Sequence, residues 1–317
     1  MRRMPLLLAL AAVAAAQAPK PPPGDAGAVF RADTRLVVCN TAVVDKDGHL
    51  VTNLPQQAFT VYENGVKQTI AGFKREDVPV SIGLIVDNSG SMRPKRSQVE
   101  AAALALVKDS NPEDEVFIVN FNDEAYLDNP PGKDFTSDIK EMEAALRRID
   151  SSGGTAMRET IHMSIGWLKK AHRDKKVLVV VTDGNDNFGG ISLEDLVKLA
   201  QQNEVLIYSV GLLTEESRSD ANSARRALRA LAGATGGETF FPKELGEVDR
   251  IAHLVARDIR SQYAIEYKPL NAAMDGSYRK IRITVDAPGR PTVRTRSGYY
   301  ATPERQAPPG GPSFQQP

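Results

Sequence analysis

The 317-residue chain is long enough for two domains. Its 40 basic residues balance 40 acidic ones, which excludes a charge-driven attraction to nucleic acid or to an anionic membrane surface. The single cysteine, Cys39, excludes an internal disulfide, so stability has to come from packing.

Residues 1–18 carry Arg2 and Arg3, then the apolar stretch Pro5 to Ala16 ending in Ala14-Ala15-Ala16, the pattern of a cleaved secretory signal. That stretch is shorter than the roughly 20 residues a spanning helix needs. No other segment reads as a transmembrane span in the mature chain, and a secreted or periplasmic location is expected. Losing the two arginines leaves 38 basic against 40 acidic residues. Residues 19–29 are rich in Pro, Gly and Ala and read as a linker.

Residues 30–78 have a short-strand rhythm, with candidates at 35–44, 49–52, 58–63 and 67–73 separated by the hairpin signals Asp47-Gly48 and Asn64-Gly65. Cys39 falls in the apolar run Leu36-Val37-Val38-Cys39 and is expected to be a buried, inert thiol. Between 79 and 261 apolar strands alternate with helical patterns, which predicts a doubly wound α/β domain around a mainly parallel sheet. Strands are expected at 81–86, 116–121, 177–181, 205–212 and 238–241. Helices are expected at 97–108, around Ile139 to Ile149, at 156–171, from Ser192 to Gln202, at 224–234 and at 249–259. Strand patterns return at 262–268, 278–286 and 292–300. Neither flank would bury a convincing core alone, so 30–78 and 262–301 are predicted to form one smaller β-sandwich into which the α/β domain is inserted. Residues 302–317, rich in Pro and Gly, are predicted to be a disordered tail.

The most informative junction is the end of the strand Ser81 to Val86. It runs into Asp87-Asn88-Ser89-Gly90-Ser91, which sets one carboxylate and two hydroxyls at i, i+2 and i+4. Hard oxygen donors of this kind suit Mg²⁺ or Mn²⁺. Val177 to Val181 likewise leads into Thr182-Asp183-Gly184, and Gly153-Gly154-Thr155 stands just ahead of a helix. Ser and Asp after strands also serve as ordinary turn and cap residues. Three such segments at the carboxyl ends of strands or before a helix, where open α/β sheets collect ligands, favour one metal site.

Asp87, Ser89, Ser91, Thr155 and Asp183 resemble, position by position, the metal-ion-dependent adhesion site of the von Willebrand factor A family. The resemblance implies that the two serines and the threonine bind the metal directly or through water. It further implies that the aspartates act largely through water and that an acidic side chain of a partner completes the octahedron. Few anionic ligands leave the cation much of its charge, so it favours an outside carboxylate. The flanks are similar to those of a secreted bacterial group whose A domain is followed by a closing Arg-x-Gly-Tyr, here Arg296-Ser297-Gly298-Tyr299.

The expected function is therefore a non-enzymatic adhesion or binding protein. It would hold Mg²⁺, with Mn²⁺ or Ca²⁺ as alternatives, and take a protein ligand offering Asp or Glu. A metal-dependent hydrolase with Asp87 or Ser89 as nucleophile is the alternative. Against it, a second acid is missing at position 89, and Asn88-Ser89-Gly90 does not fit a Gly-x-Ser-x-Gly elbow. A structural envelope protein with a vestigial site is the third reading. His49, His162, His172 and His253 lie outside the motif segments and lack zinc spacing. Asp186 and Asn187 could serve a second ion, shape the rim or form a solvated turn. Met157 and Trp167 read as core, and 215–226 as a solvated face able to move on ligand binding.

Overall fold

The computed structural model describes residues 36–75, 77–109, 111–147, 151–214, 216–302 and 314. The expected signal segment, the linker, Ile149 and most of the expected tail lie outside these residues.

The elements are β1 (Val37–Val44), β2 (Phe59–Glu63), β3 (Val66–Gln68), β4 (Ile70–Lys74), β5 (Val80–Asp87), α1 (Arg96–Lys108), β6 (Glu115–Phe121), β7 (Ala125–Leu127), α2 (Ile139–Leu146), α3 (Met157–Trp167), β8 (Lys175–Thr182), α4 (Leu193–Gln202), β9 (Val205–Gly211), α5 (Arg218–Thr235), β10 (Thr239–Phe240), α6 (Glu247–Arg260), β11 (Tyr263–Tyr267), β12 (Tyr278–Val285), β13 (Thr292–Arg294) and β14 (Gly298–Tyr300). The central six-stranded sheet has the order β10-β9-β8-β5-β6-β7 and is parallel except for the edge strand β7. Every residue of β5 is buried, as expected of a strand covered on both faces. Ile82, Leu84 and Val86 pack with α1, α2 and α6, while Ile85 packs with α3, α4 and α5 on the other side. From β5 the chain steps one way to β6, and from β8 the other way to β9. The strand order therefore reverses between β5 and β8, where a ligand crevice forms at the carboxyl ends.

Two four-stranded antiparallel sheets flank this domain, β13-β1-β11-β4 and β14-β12-β2-β3, and each takes strands from both ends of the chain. They share one core, in which Val37, Cys39, Val43 and Val61 meet Tyr263, Ile265, Ile281 and Tyr299. Burial pushes the Cys39 thiol up to about 11, so it carries almost no thiolate at neutral pH.

Several boundaries differ from the sequence reading. The expected strands 67–73 and 292–300 each divide, because the chain passes from one flanking sheet to the other between β3 and β4 and again between β13 and β14. The expected strand at 49–52 is reduced to a single bridge, Val44 to Leu50. Helix α5 begins at Arg218 rather than Ala224, because Ser217 caps it by accepting from the Asp220 N–H at 3.2 Å. Strand β7 has no counterpart among the predicted elements. Phe314 departs from the featureless tail: it is buried, with its ring centroid 5.4 Å from that of Trp167. Trp167 itself is only half-buried, whereas Met157 is in the core as expected.

The Arg-x-Gly-Tyr segment docks the flanking sheets on the central domain. Arg296 Nη1 reaches Glu204 at 3.2 Å, Ser297 N–H donates to Ala234 O at 3.1 Å, and Gln201 Nε2 donates to Ser297 Oγ at 3.0 Å. Gly298 permits a close approach, since a Cβ there would lie 2.3 Å from Arg279 O.

Candidate metal centre

Strands β5 and β8 are hydrogen-bonded neighbours, with Val86 paired to Val181. Their last residues, Asp87 and Thr182, therefore leave the sheet side by side. Thr182 Oγ1 donates to Asp87 Oδ2 at 2.5 Å, and the Ser89 N–H donates to Asp87 Oδ1 at 2.8 Å. Asp87 thus faces inward and ties the turn that carries the serines. It is 1% exposed, and burial raises its carboxyl to about 6, against the lowering effect of the Thr182 and Ser89 hydrogen bonds.

Ser89 Oγ and Ser91 Oγ are 3.1 Å apart, and Ser91 Oγ donates to Asp183 Oδ1 at 2.9 Å. Metal–oxygen bonds of roughly 2.0–2.1 Å give an octahedral edge of about 2.9 Å, so these oxygens already have the spacing of adjacent ligands of Mg²⁺ or Mn²⁺. Ser89, Thr155 and Asp183 are buried, whereas Ser91 is exposed and marks the open side.

The loop bearing Thr155 is fixed by groups outside the five-residue pattern. Gly153 has φ +76°, and a Cβ there would lie 2.6 Å from the Asp123 carboxylate, which accepts the Gly154 N–H at 2.5 Å. Asn187 Oδ1 accepts the Thr155 N–H at 3.0 Å, and the Asn187 N–H donates to Thr155 O at 3.2 Å. Across the crevice, a Cβ on Gly184 would stand 3.4 Å from Thr155 Oγ1, which puts the threonine hydroxyl beside the Asp183 turn. Gly90 N–H donates to Gly153 O at 3.3 Å and Ser152 N–H to Asn88 O at 3.0 Å, joining the first two segments directly.

Asp186, considered for a second ion, is instead occupied at the start of α3. It accepts from the Arg158 N–H at 2.7 Å and from Arg158 Nη2 at 3.0 Å. The four histidines pair with carboxylates elsewhere: His49 with Asp45, His162 with Glu159, His172 with Glu115 and His253 with Asp109. Three groups near the site were not singled out by the sequence. Lys95 Nζ donates to Asp183 Oδ2 at 2.6 Å, and both side chains are buried. Glu216 stands near Gly184, with its carboxyl raised by partial burial and by the charge of Asp183. Phe188, 54% exposed, lies against Gly154 at the rim. Only the position of Lys95 just before a helix, where a capping oxygen is usual, offered a signal.

Residues 82–185 match the model of the von Willebrand factor type A domain. Over 123 residues the chain is 24% identical to inter-alpha-trypsin inhibitor heavy chain H4 of Bos taurus, covering 35% of this chain and 13% of that protein. Over 144 residues it is 29% identical to an uncharacterized protein of Borreliella burgdorferi, covering 44% of this chain and 40% of the other. The chain thus spans less than half the length of either relative. Among solved structures, a von Willebrand factor type A protein from Catenulispora acidiphila aligns with a TM-score of 0.50 at 14% identity, over 85% of this chain and 75% of that one. Proximal thread matrix protein 1 from the mussel byssus, solved with a zinc-occupied MIDAS motif, aligns with a TM-score of 0.48 at 18% identity, over 62% of this chain and 49% of that one. The matched segment runs from β5 to just past Asp183, and over it this chain is similar to a von Willebrand factor type A domain.

Proposed function

We propose that this is a non-enzymatic binding protein that recognises a protein partner through a divalent cation held by Ser89, Ser91 and Thr155, with Asp87 and Asp183 in support. The observation that carries the reading is the run of oxygens from Ser89 to Ser91 to Asp183 at 3.1 and 2.9 Å. That spacing suits Mg²⁺ or Mn²⁺ better than Ca²⁺, whose longer bonds of about 2.3–2.6 Å need wider ligand separations. When bound, the ion would supply a concentrated positive charge with an open position for an Asp or Glu carboxylate.

The chain's own residues prepare that position. Thr182 and the Ser89 N–H hold Asp87 away from the opening, Asn187 and Asp123 hold the Thr155 loop, and exposed Ser91 leaves one side accessible. Asp87 faces inward and is buried, which places it badly to attack a substrate, and the four histidines pair with carboxylates elsewhere, which favours binding over hydrolysis. Export to the periplasm or exterior is part of the proposal and rests on the N-terminal sequence pattern. Among the described residues no helix is long and apolar enough to cross a membrane.

The test is calorimetric titration of Mg²⁺, Mn²⁺ and Ca²⁺ into chelator-treated protein, followed by partner capture from an extract of the source cell with and without chelator. Metal binding that disappears in Asp87→Ala, with capture lost in chelator and restored by Mg²⁺, is the expected result. Capture that persists unchanged in chelator would place the partner surface elsewhere.

A further inference from the structure

Lys95 breaks two local rules. It occupies the N-cap position of α1 with φ −100° and ψ −15° and provides no side-chain cap, where Ser, Thr, Asp or Asn would satisfy an orphan N–H. It also brings a cation to the positive end of a helix. Yet its side chain is only 5% exposed, although lysines are almost never buried unless paired. The compensation is the 2.6 Å hydrogen bond from Nζ to Asp183 Oδ2, made to a carboxylate with no exposed surface.

This pairing divides the two aspartates of the centre. Asp87 is turned to Thr182 and the Ser89 N–H, whereas Asp183 is shared between Ser91 Oγ on Oδ1 and the Lys95 ammonium on Oδ2. We propose that Lys95 is a resident counter-cation, a positioning residue that sets the metal affinity of this centre by competing with the divalent ion for Asp183. The inference rests on the metal reading given above and adds to it. With both aspartates ionised, Lys95 reduces the charge of the centre from −2 to −1, so the ion is held less tightly. Once a divalent ion is bound, the centre carries +1 rather than neutrality, and its pull on an outside carboxylate is stronger. Lys95 thus weakens metal binding and strengthens the response to an anionic partner, and by linkage the partner's carboxylate in turn tightens the metal.

The experiment is Mn²⁺ titration of wild type, Lys95→Met, Lys95→Gln and Lys95→Arg by calorimetry at one pH and ionic strength. Lys95→Met and Lys95→Gln should bind Mn²⁺ at least about tenfold more tightly, a floor set well below the full unit-charge interaction at an effective dielectric near 20. Lys95→Arg should stay within about threefold of wild type because the charge is kept. Unchanged or weaker binding in both neutral variants, with wild type binding normally, overturns the role of Lys95 and leaves the metal reading intact. No Mn²⁺ binding by wild type or by either neutral variant overturns both. A second measurement needs no neutral variant: in wild-type protein with ¹³C-labelled lysine, the Lys95 ε-carbon signal, assigned by its loss in Lys95→Arg, should shift with Mg²⁺ occupancy. A stationary signal at saturating Mg²⁺ overturns the proposal.

Discussion

Asp87→Asn should make the metal-free protein more stable at neutral pH while abolishing metal binding. In the folded chain the Asp87 carboxyl is raised from 3.8 to about 6, chiefly by burial. The native state therefore holds its proton over a range in which the unfolded chain has released it. Stability falls wherever the native state binds more protons than the unfolded state, so the Asp87 contribution is present below about pH 4 and is lost as pH rises to about 6. Two pKa units at about 1.4 kcal/mol each put the loss near 3 kcal/mol as an upper figure. Asparagine keeps an oxygen to accept the Ser89 N–H but turns an amide toward Thr182 Oγ1, which also accepts the Gly184 N–H at 3.3 Å. Part of the gain is lost in that rearrangement, leaving about 1–2 kcal/mol at pH 7.5, roughly 2–8 °C in Tm for a chain of this size. The assay is urea unfolding in chelator from pH 4.5 to 8 for both proteins, with Mn²⁺ calorimetry alongside. Wild type should lose stability toward pH 6 more steeply than the variant, and excess Mg²⁺ should reverse that loss by favouring ionised Asp87. A variant less stable than wild type at pH 7.5 in chelator, or one with the same pH profile, would refute this account of the buried carboxylate.

Gly153→Ala should destabilise the fold by about 1–3 kcal/mol and weaken Mn²⁺ binding. The added Cβ meets the Asp123 carboxylate at 2.6 Å on a backbone with φ +76°, as urea midpoints and calorimetry would show. Phe188→Ala should leave Mn²⁺ affinity unchanged but weaken partner binding by about tenfold, the effect of losing an exposed aromatic anchor beside a recognition centre. Surface plasmon resonance against the captured partner reads that difference directly. Arg294→Met should cost about 3–5 kcal/mol, because Arg294 reaches Asp258, whose side chain is 7% exposed, and Glu238 at 2.7 Å. Limited proteolysis would then report earlier cleavage between the central domain and the flanking strands.

The α/β alternation, the positions of β5, α1, β6, β8, α4 and α6, and the cluster of oxygen-bearing side chains at the end of β5 were legible in the sequence. They rest on local signals: apolar runs with strand or helix period, a Ser192 cap that accepts the Asp195 N–H, and hydroxyls clustered after a strand. Strand β7 was not legible, because Ala125-Tyr126-Leu127 is too short to carry a pattern and exists as a strand through its pairing with β6. The division of 67–73 and 292–300 into separate strands was likewise invisible, since a change of sheet depends on which partner lies alongside. The same limit applies at the candidate metal centre. Sequence spacing grouped Asp87, Ser89 and Ser91, but only the parallel register of β5 and β8 brings Asp183 within 2.9 Å of Ser91. Long-range packing also set Asp123 and Asn187 as supports of the Thr155 loop and placed the Lys95 ammonium on Asp183. Period and propensity act over a few residues, whereas the charge a buried carboxylate meets is decided by segments 88 positions apart in the chain.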